Sequence, residues 1–437
     1  MVRKSKKYIL DHPAKFKEHL LHWAQQFEEI IWLDSNTYSQ KYSSYDVILA
    51  VDAFTSIKTD YASGFDKLKE YQEKANDWIF GYLSYDLKND TEALVSANID
   101  SLDFPDLFFF QPKKIFLLKG SVVEMQYLTM VDDEISEDFN QISFNTAASL
   151  ADDNKETDCG KIKISLRITK DVYKEKVQKM LHHIYRGDIY EANFCQEFYA
   201  ENSCLNPLQT YHHLNQISAP PFAVYLKMNQ KYLLSASPER YLKKEGNKII
   251  SQPIKGTAKR STIEEEDRML IVNLEKDPKE RSENVMIVDL VRNDLSKTAS
   301  KGTVKVEELC EVHSFKQVHQ MISTVVSEID HLISPVDVIR TTFPMGSMTG
   351  APKISAMKII EDLEESKRGL YSGAVGYFTP ENDFDFNVVI RSILYNEEKQ
   401  YVSYTVGGAI TAQSDPDKEY EECLIKAKAM REVLEGL

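Results

Sequence analysis

Three apolar segments near the C-terminus, separated by short polar turns, constrain the fold more than any other feature. Segments 371–378, 384–394 and 400–406 are rich in β-branched and aromatic residues, as β-strands are. The turns between them, at 380–382 and 396–399, are only a few residues long. Because such short connections join antiparallel neighbours, the pattern predicts an antiparallel meander.

Helices and further strands accompany the meander. Thr169 can cap a helix that runs to about Arg186, since a threonine hydroxyl accepts a hydrogen bond from the first turn. Other helices are predicted over 281–294, from Ala351-Pro352, and from Pro416 to the C-terminus; strands are predicted at 231–235 and 248–252, joined by a turn at 245–247. The 281–294 helix is apolar on most faces and is predicted to be buried. Strands and helices do not alternate strictly, which predicts an α+β fold.

The segment 146–163 is small, polar and acidic, as a linker or exposed loop should be. It predicts two regions, residues 1–150 and 165–437. The N-terminal region contains strand candidates at 31–51, 78–87 and 107–117.

The chain is acidic, with 53 Lys and Arg against 68 Asp and Glu, a net charge of −15. This balance argues against nucleic acid or an anionic membrane as a partner. A small anionic substrate would need local cations or a metal. No signal peptide and no apolar stretch long enough to span a bilayer is recognisable, and the five scattered cysteines fit a reducing cytoplasm.

Several carboxylates have spacings that suit a metal. Glu283 lies near the start of a largely apolar helix, and Glu419, Glu422 and Lys426 share one face of the last helix. Two carboxylates from separate helices suit Mg²⁺, which keeps waters and lets a substrate supply other ligands. The alternative is a helix cap at Glu283 and a solvated face at Glu419–Lys426.

Lys255 stands in the segment "QPIKGTAKR", where Gly-Thr implies a tight turn after a strand. A lysine at this place is a candidate nucleophile if it can be neutral. The alternative is a surface lysine beside Lys259 and Arg260.

Two glycine-containing turns and one arginine are further candidates. Gly350 in "TGAPK" precedes a helix start, where free N–H groups form an anion site; the alternative is an ordinary helix start. Gly407-Gly408 lets a ligand approach a strand backbone. Strand alternation places Asn387 and Arg391 on one face, either as a carboxylate clamp or as part of a cross-strand ion pair.

From Lys170 onward the chain resembles the chorismate-binding enzyme family. The family includes component I of anthranilate synthase and of aminodeoxychorismate synthase, and the isochorismate and salicylate synthases. The segments that carry the resemblance occur in family order: "GDIYEANFCQ" (187–196), "SASPERYL" (235–242), "PIKGT" (253–257), "DPKERSENVMIVDLVRNDL" (277–295), "FPMGSMTGAPK" (343–353), "DFNVVIR" (385–391), "GGAI" (407–410) and "EYEECLIKA" (419–427). The N-terminal region resembles the family's more variable half, around "WLDS" (32–35) and "FGYLSYDL" (80–87).

The resemblance implies an anthranilate synthase component I-like fold, with large antiparallel sheets packed face to face and helices outside. It also implies a reaction on chorismate. Lysine at position 255 is typical of aminodeoxychorismate synthases, whereas anthranilate synthases usually have alanine there. The expected reaction is therefore amination of chorismate at carbon 4, towards 4-aminobenzoate and folate. The nearest alternative is component I of anthranilate synthase, which makes anthranilate and pyruvate.

The resemblance further implies roles for individual residues. Lys255 is expected to be the covalent nucleophile, Glu239 of "SPER" the acid/base, and Glu283 and Glu422 the Mg²⁺ ligands. The expected substrate contacts are Thr257, Thr349, Gly350, Tyr371, Arg391, Gly407, Gly408 and Lys426. The expected partner is a separate glutamine amidotransferase that supplies ammonia.

Two positions depart from the family pattern. Gln320 stands where a family histidine usually precedes an apolar-apolar-Ser run, with His319 just before it. Anthranilate synthases use that histidine region in eliminating pyruvate, so Gln320 favours a reaction that retains the enolpyruvyl group. Ala409 replaces a third glycine, and its methyl group is expected to narrow the pocket for the substrate carboxylate.

Overall fold

The computed structural model describes residues 2–38, 41–144, 162–316 and 318–436. Its strands are β1 (Arg3–Ile9), β2 (Glu29–Asp34), β3 (Val47–Thr59), β4 (Ile79–Leu83), β5 (Leu107–Lys119), β6 (Val122–Leu128), β7 (Ser165–Leu166), β8 (Glu191–Ala200), β9 (Phe222–Met228), β10 (Lys231–Ser237), β11 (Arg240–Glu245), β12 (Lys248–Gln252), β13 (Ile254–Lys259), β14 (Lys305–Ser314), β15 (Val318–Glu328), β16 (Gly350–Ala351), β17 (Ala374–Phe378), β18 (Phe384–Val388), β19 (Ser392–Asn396) and β20 (Tyr401–Thr411).

Its helices are α1 (Pro13–Ala24), α2 (Gly64–Ala75), α3 (Lys88–Thr91), α4 (Ile135–Phe144), α5 (Lys170–Arg186), α6 (Pro207–Ser218), α7 (Glu264–Lys276), α8 (Pro278–Ser296), α9 (Pro335–Thr342), α10 (Lys353–Leu363) and α11 (Pro416–Glu435). None of the helices in the described ranges is long and apolar enough to cross a membrane.

The strands pair antiparallel in two layers. One layer has the order β8–β20–β19–β10–β9–β2–β3–β5, and the other runs β5–β4–β17–β18–β11–β12–β15, with β13 and β14 on β15. The long strands β3 and β5 belong to both layers. A register shift between Ala53 and Thr55 bends this pair, as a β-bulge does.

The cores follow from the alternation of side chains along these strands. Phe80, Phe108 and Phe110 lie between the two layers, together with Ile31 from the other layer. Phe109 faces outward onto a second core beside α2, α8 and α9, whereas the outward residues of the first layer pack against α1, α4, α5, α6, α10 and α11. The predicted α+β fold, with antiparallel sheets face to face and helices outside, is confirmed.

The N-terminal and C-terminal regions share these sheets. Strand β2 pairs with β9, and β4 pairs with β17. Most of the predicted linker 146–163 lies outside the described residues; only Ile162 and Lys163 fall within them.

Some predicted elements differ from the structure. The predicted strand 384–394 is two strands, β18 and β19, because Arg391 between them has a left-handed φ of 51°. The turn at 245–247 joins β11 to β12 and does not join strands 231–235 and 248–252 as predicted. Strand β11 was not predicted from the sequence. Helix α8 begins earlier than predicted, at Pro278, where the Asp277 side chain accepts hydrogen bonds from the first turn. It buries only one face, and Val285 is 40% exposed.

Candidate active site

A cleft of about 980 Å³ opens between helices α8 and α11 and strand β13. It leads into a narrower inner pocket of about 140 Å³. The two cavities share the wall residues Pro238, Lys255, Gly256, Thr257, Gln320, Arg391, Ala409, Lys426 and Met430. A concave site of this kind, lined by several charged side chains, is typical of a small-molecule site.

Glu239 lies in the turn between β10 and β11, on the wall of the inner pocket, and is 4% exposed. Burial raises the pKa of its carboxyl group to about 7, although Ser347, Lys255 and Arg391 act in the opposite direction. The Ser347 hydroxyl donates a hydrogen bond of 2.6 Å to Glu239 Oε1. A carboxyl group with a pKa near neutrality can donate and accept protons at physiological pH, as an acid/base residue must.

Lys255 is on β13 and lines both cavities. Its positive charge lowers the pKa values of four carboxyl groups, those of Glu191, Glu239, Glu283 and Glu422. It therefore lies within electrostatic reach of all four. The alternative of a surface lysine does not describe this position, since Lys255 is half-buried in the cleft whereas Lys259 is exposed.

The residue that follows Lys255 has an unusual backbone conformation. Gly256 has a φ of 94°, in the left-handed region that side chains rarely adopt. A Cβ atom there would lie 3.2 Å from Glu280 Oε2 and 3.3 Å from Leu274. The glycine thus allows the chain to turn tightly against helix α8 immediately after Lys255.

Helices α8 and α11 bring carboxylates to the mouth of the inner pocket. Burial, and then the nearby Glu422, raise the pKa of Glu283, and Glu283 Oε1 has no hydrogen-bond partner among the described residues. Partial burial raises the pKa of Glu422, but Lys426 at 2.7 Å, together with Lys279 and Lys255, outweighs burial and the net shift of the pKa is downward. Glu283 and Glu422 are thus brought together as predicted.

Two further carboxylates flank this pair. Burial raises the pKa values of Glu280 and Glu419, and their like-charged neighbours Glu283 and Glu422 raise them further. Glu280 was not among the residues predicted for the site. Its i, i+3 spacing from Glu283 places both on one face of a helix and could have indicated it.

This arrangement fits the predicted Mg²⁺. Crowded carboxylates beside an open cleft suit a divalent cation, which relieves the repulsion between like charges; Glu283 Oε1 has only a long ion pair with Lys279, at 3.8 Å. Among the described residues, no group of three or more His, Cys, Asp or Glu side chains is placed to hold a metal ion, so the protein would supply two carboxylates at most. Glu283 and Glu422 are the residues that would hold the ion.

Other predicted contacts also lie on the cavity wall. Thr257 and Arg391 line both cavities, and Tyr371, Gly407 and Gly408 line the inner pocket. Lys426 Nζ donates a 3.1 Å hydrogen bond to the carbonyl oxygen of Gly407, which connects the carboxylate cluster to β20.

Gly407 and Gly408 differ in what surrounds them. A Cβ at Gly407 would lie 2.3 Å from Cys195 Sγ, so this glycine allows β8 and β20 to approach closely. A Cβ at Gly408 would instead meet Glu419 Oε2 at 3.5 Å, an ordinary contact.

Thr349 and Gly350 are not on the cavity wall. The Thr349 hydroxyl donates to the carbonyl oxygens of Met345 and Gly346. A Cβ at Gly350 would lie 2.3 Å from the carbonyl oxygen of Glu191, so this glycine permits the pairing of β16 with β8. Close strand pairing, rather than an open anion site at a helix start, accounts for the glycine.

The predicted clamp of Arg391 with Asn387 is wrong. Asn387 faces a separate cavity on the other side of β18, and Asp385 on the same strand pairs with Arg240 at 3.0 Å. The strand ends at Val388, so the alternation on which the prediction rested does not continue to Arg391.

Gln320 and His319 face opposite ways on β15. Gln320 lines both cavities. His319 is fully buried behind the site, where its ring nitrogens contact Asp267 at 2.9 Å and Ser314 at 2.8 Å. Strand β15 therefore places the amide of Gln320, and not the imidazole of His319, on the cavity wall.

A family model described as chorismate binding enzyme matches residues 7–432 of the chain. The chain belongs to the chorismate-binding enzyme family. The match extends through the N-terminal region as well as the part from Lys170 onward, which confirms the resemblance.

Relatives within this family carry two kinds of name. The chain is 35% identical over 388 residues to the probable chloroplastic aminodeoxychorismate synthase of rice, covering 81% of this chain and 43% of that protein. It is 31% identical to aminodeoxychorismate synthase component 1 of Bacillus subtilis, covering 81% and 76%. It is 32% identical to anthranilate synthase component 1 of Thermus thermophilus, covering 82% and 77%.

Solved structures in the family share the fold. Anthranilate synthase component I from Streptococcus pneumoniae superimposes with a TM-score of 0.77 at 24% sequence identity, covering 90% of this chain and 93% of that one.

Proposed function

We propose that the chain is component I of an aminodeoxychorismate synthase, which aminates chorismate at carbon 4 to give 4-amino-4-deoxychorismate. The observation that carries the proposal is the position of Lys255. It lies on the wall of the inner pocket, within electrostatic reach of Glu239 on one side and of Glu283 and Glu422 on the other.

The proposed reaction has two substitutions. The neutral amine of Lys255 attacks ring carbon 2, the ring double bonds shift, and the bond from carbon 4 to its hydroxyl oxygen breaks. Glu239 gives its proton to the departing oxygen, which leaves as water. Ammonia then adds at carbon 4, the double bonds shift back, and Lys255 leaves carbon 2 with its electron pair. The new ammonium group returns one proton to Glu239, so that both residues regain their starting states.

The remaining groups hold the substrate. Mg²⁺ bound by Glu283 and Glu422 would neutralise the ring carboxylate of chorismate. Arg391 supplies a cation inside the pocket, where burial lowers the pKa of its guanidinium and Glu239 opposes this effect. An arginine in such a position can form paired hydrogen bonds to a second carboxylate.

Ammonia is expected to come from a separate glutamine amidotransferase, and the product is expected to pass to a separate lyase that completes 4-aminobenzoate for folate synthesis. We place this reaction in the cytoplasm. The amidotransferase and the lyase rest on family membership, and the compartment rests on the prediction from the sequence.

Component I of anthranilate synthase is the second candidate, because a relative with that name covers as much of the chain. It would aminate carbon 2 and eliminate pyruvate. Lysine at position 255 and Gln320 in place of a histidine favour the first candidate.

The test is to incubate the protein with chorismate, Mg²⁺ and excess ammonium at mildly alkaline pH, and to identify the product by mass spectrometry. We expect an aminated product that retains the enolpyruvyl group and yields 4-aminobenzoate when a lyase is added. Anthranilate with pyruvate would instead support the second candidate.

A matched pair of variants tests the lysine itself. Lys255→Ala should lower the amination rate by about 100-fold or more, because it removes the nucleophile. Lys305→Ala, an exposed lysine on β14 that lines neither cavity, should keep the wild-type rate. Full activity of Lys255→Ala without added amine would exclude the covalent route.

A further inference from the structure

Glu191 is a buried carboxylate to which the proposed reaction gives no part. It is the first residue of β8, paired with Thr411 on β20 and with Ala351 on β16, and is 2% exposed. Side chains alternate along a strand, so Glu191 points to the same side as Asn193, which lines the inner pocket. Its Oε2 atom has no hydrogen-bond partner among the described residues.

The charged groups that act on Glu191 are Lys255 and Glu283, which both have roles in the proposed reaction. Burial raises the pKa of its carboxyl group, Lys255 lowers it, and Glu283 raises it again. The carboxylate is therefore close enough to the proposed nucleophile and to a proposed metal ligand to interact with both charges.

Two more acceptor oxygens in this part of the cavity lack partners. They are Asn193 Oδ1 and Gln320 Oε1, and both residues line the inner pocket. A buried acceptor without a donor is costly to keep, so the two on the pocket wall, with Glu191 on the same side of β8 as Asn193, indicate a ligand that donates hydrogen bonds.

Chorismate does not match this requirement, because its two carboxylates would be repelled by Glu191. An ammonium ion does match it, because it is small, positively charged and carries four N–H donors. Mg²⁺ fits less well, since it holds its waters tightly and demands six oxygens in octahedral geometry. We infer that Glu191, with the side-chain oxygens of Asn193 and Gln320, binds the ammonium co-substrate next to Lys255.

This inference rests on the proposed function, in which the second substrate is ammonia. The chain would then bind its nitrogen donor on the β8 side of the pocket and the ring carboxylate on the α8–α11 side. The donor would already be in the pocket while Lys255 is attached to the ring, and transfer of one ammonium proton to Glu191 would give the ammonia that adds at carbon 4.

Glu191→Gln tests the inference, because the amide keeps the shape and removes the charge. With free ammonium as nitrogen donor at constant ionic strength, we expect the KM for ammonium to rise by about ten-fold or more, as loss of a charge-assisted hydrogen bond predicts. The KM for chorismate and the half-saturating Mg²⁺ concentration should change by less than about two-fold. Glu201→Gln, at an exposed carboxylate just after β8, is the matched control and should change none of the three.

The outcomes separate the possible roles. An unchanged KM for ammonium overturns the inference, and so does a change confined to Mg²⁺ or chorismate, which would make Glu191 part of the metal or ring site. A fall in kcat alone would make it a counter-ion of Lys255. If Glu191→Gln does not fold, Glu191→Asp retains the charge at a shifted position, and an unchanged KM for ammonium there also overturns the inference.

The proposed function fails separately, through the wild-type protein. Absence of any aminated product removes the proposed function and this inference together. Formation of anthranilate changes the proposed function but leaves an ammonium site to be tested by the same variants.

Discussion

Glu239 and Lys353 are both buried ionisable residues, but their environments differ. Lys353 Nζ donates to Asp294 at 2.5 Å and to the carbonyl oxygens of Thr342 and Pro344, so its hydrogen bonds are used within the fold. The Glu239 carboxyl group accepts hydrogen bonds from the Ser347 hydroxyl and the backbone N–H of Ile254, and it lines the inner pocket. Both are buried, but only Glu239 is available to a substrate.

The raised pKa of Glu239 predicts a pH-dependent cost to stability. Between its ordinary pKa of 4.5 and its folded value of about 7, the unfolded chain releases a proton that the folded chain keeps. Stability therefore falls as the pH rises through this window, and the full cost is present above pH 7. Glu239→Gln cannot ionise and therefore avoids this cost. The difference in unfolding free energy between the variant and wild type should become about 3 kcal/mol more favourable to the variant when the pH rises from 4.5 to 8.

Urea unfolding of the metal-free protein at the two pH values measures this difference. Glu73→Gln on the exposed face of α2 controls for loss of one surface charge. An equal gain for Glu239→Gln at both pH values would mean that its carboxyl group titrates normally in the folded protein.

At the scale of elements, α8 and α11 each present two carboxylates one helical turn apart. Glu280 and Glu283 come from α8, and Glu419 and Glu422 come from α11. The helices cross the cleft from different parts of the chain, so the site forms only when both are docked. A bound cation would hold the two helices together.

Removing one of the two proposed metal ligands should weaken Mg²⁺ binding specifically. We expect Glu283→Gln and Glu422→Gln each to raise the Kd for Mg²⁺ at least about ten-fold, measured by calorimetry on the intact protein. Glu421→Gln, the adjacent residue on α11 with a side chain 61% exposed, should bind Mg²⁺ as wild type does. If all three variants bind Mg²⁺ with the wild-type Kd, the metal is bound elsewhere.

The adjacent glycines of β20 allow a second comparison between neighbours. Gly407→Ala should destabilise the protein by about 1–3 kcal/mol, because the added methyl overlaps Cys195 and the backbone of Phe194. Gly408→Ala should change stability by less than about 0.5 kcal/mol, because its contacts are ordinary. Chemical unfolding of both variants checks this, and equal stabilities would show that β8 and β20 can separate without cost.

At the scale of the whole molecule, the two regions of the chain share their sheets. Strands β9 and β17 of the C-terminal region each have an N-terminal strand as a neighbour, β2 and β4 respectively. The aromatic core between the layers is likewise built from both regions. Neither region has a complete core of its own.

A fragment consisting of residues 162–437 should therefore not unfold cooperatively when expressed alone. It would expose two strand edges and half of the central core, which favours aggregation. Co-expression with residues 1–144 should restore a soluble complex, detectable by co-purification. A sharp thermal transition in the isolated fragment would contradict this prediction.

The sequence predicted local features well and distant pairings poorly. The strands of the meander, the Thr169 cap and the helix from Pro416 follow from nearby residues and are present. The pairings of β2 with β9 and of β4 with β17 join residues far apart in the chain, which periodicity does not reveal. The left-handed backbone at Arg391 also has no local signal, and it was this residue that invalidated the strand alternation.

In the candidate site, too, features set by nearby residues were predicted and features that depend on distant parts of the chain were not. Lys255, Glu283 and Glu422 were recognised from ordered motifs, and the structure brings them together around one cavity. Burial, which raises the pKa of Glu239 and leaves Glu191 Oε2 without a partner, depends on elements from the entire chain. Thr349 and Gly350 stand in a family motif but have structural contacts instead.

The tight turn at Gly256 has a consequence for how such an enzyme can evolve. The backbone path that presents residue 255 to the pocket is set by the glycine after it, whose φ of 94° does not depend on the neighbouring side chain. A single codon change at 255 would replace the amine and leave the cavity walls in place. A change at 256 would disturb the turn and its contact with α8. A lineage can therefore exchange one chemistry for another at position 255 without rebuilding the scaffold, while position 256 stays fixed.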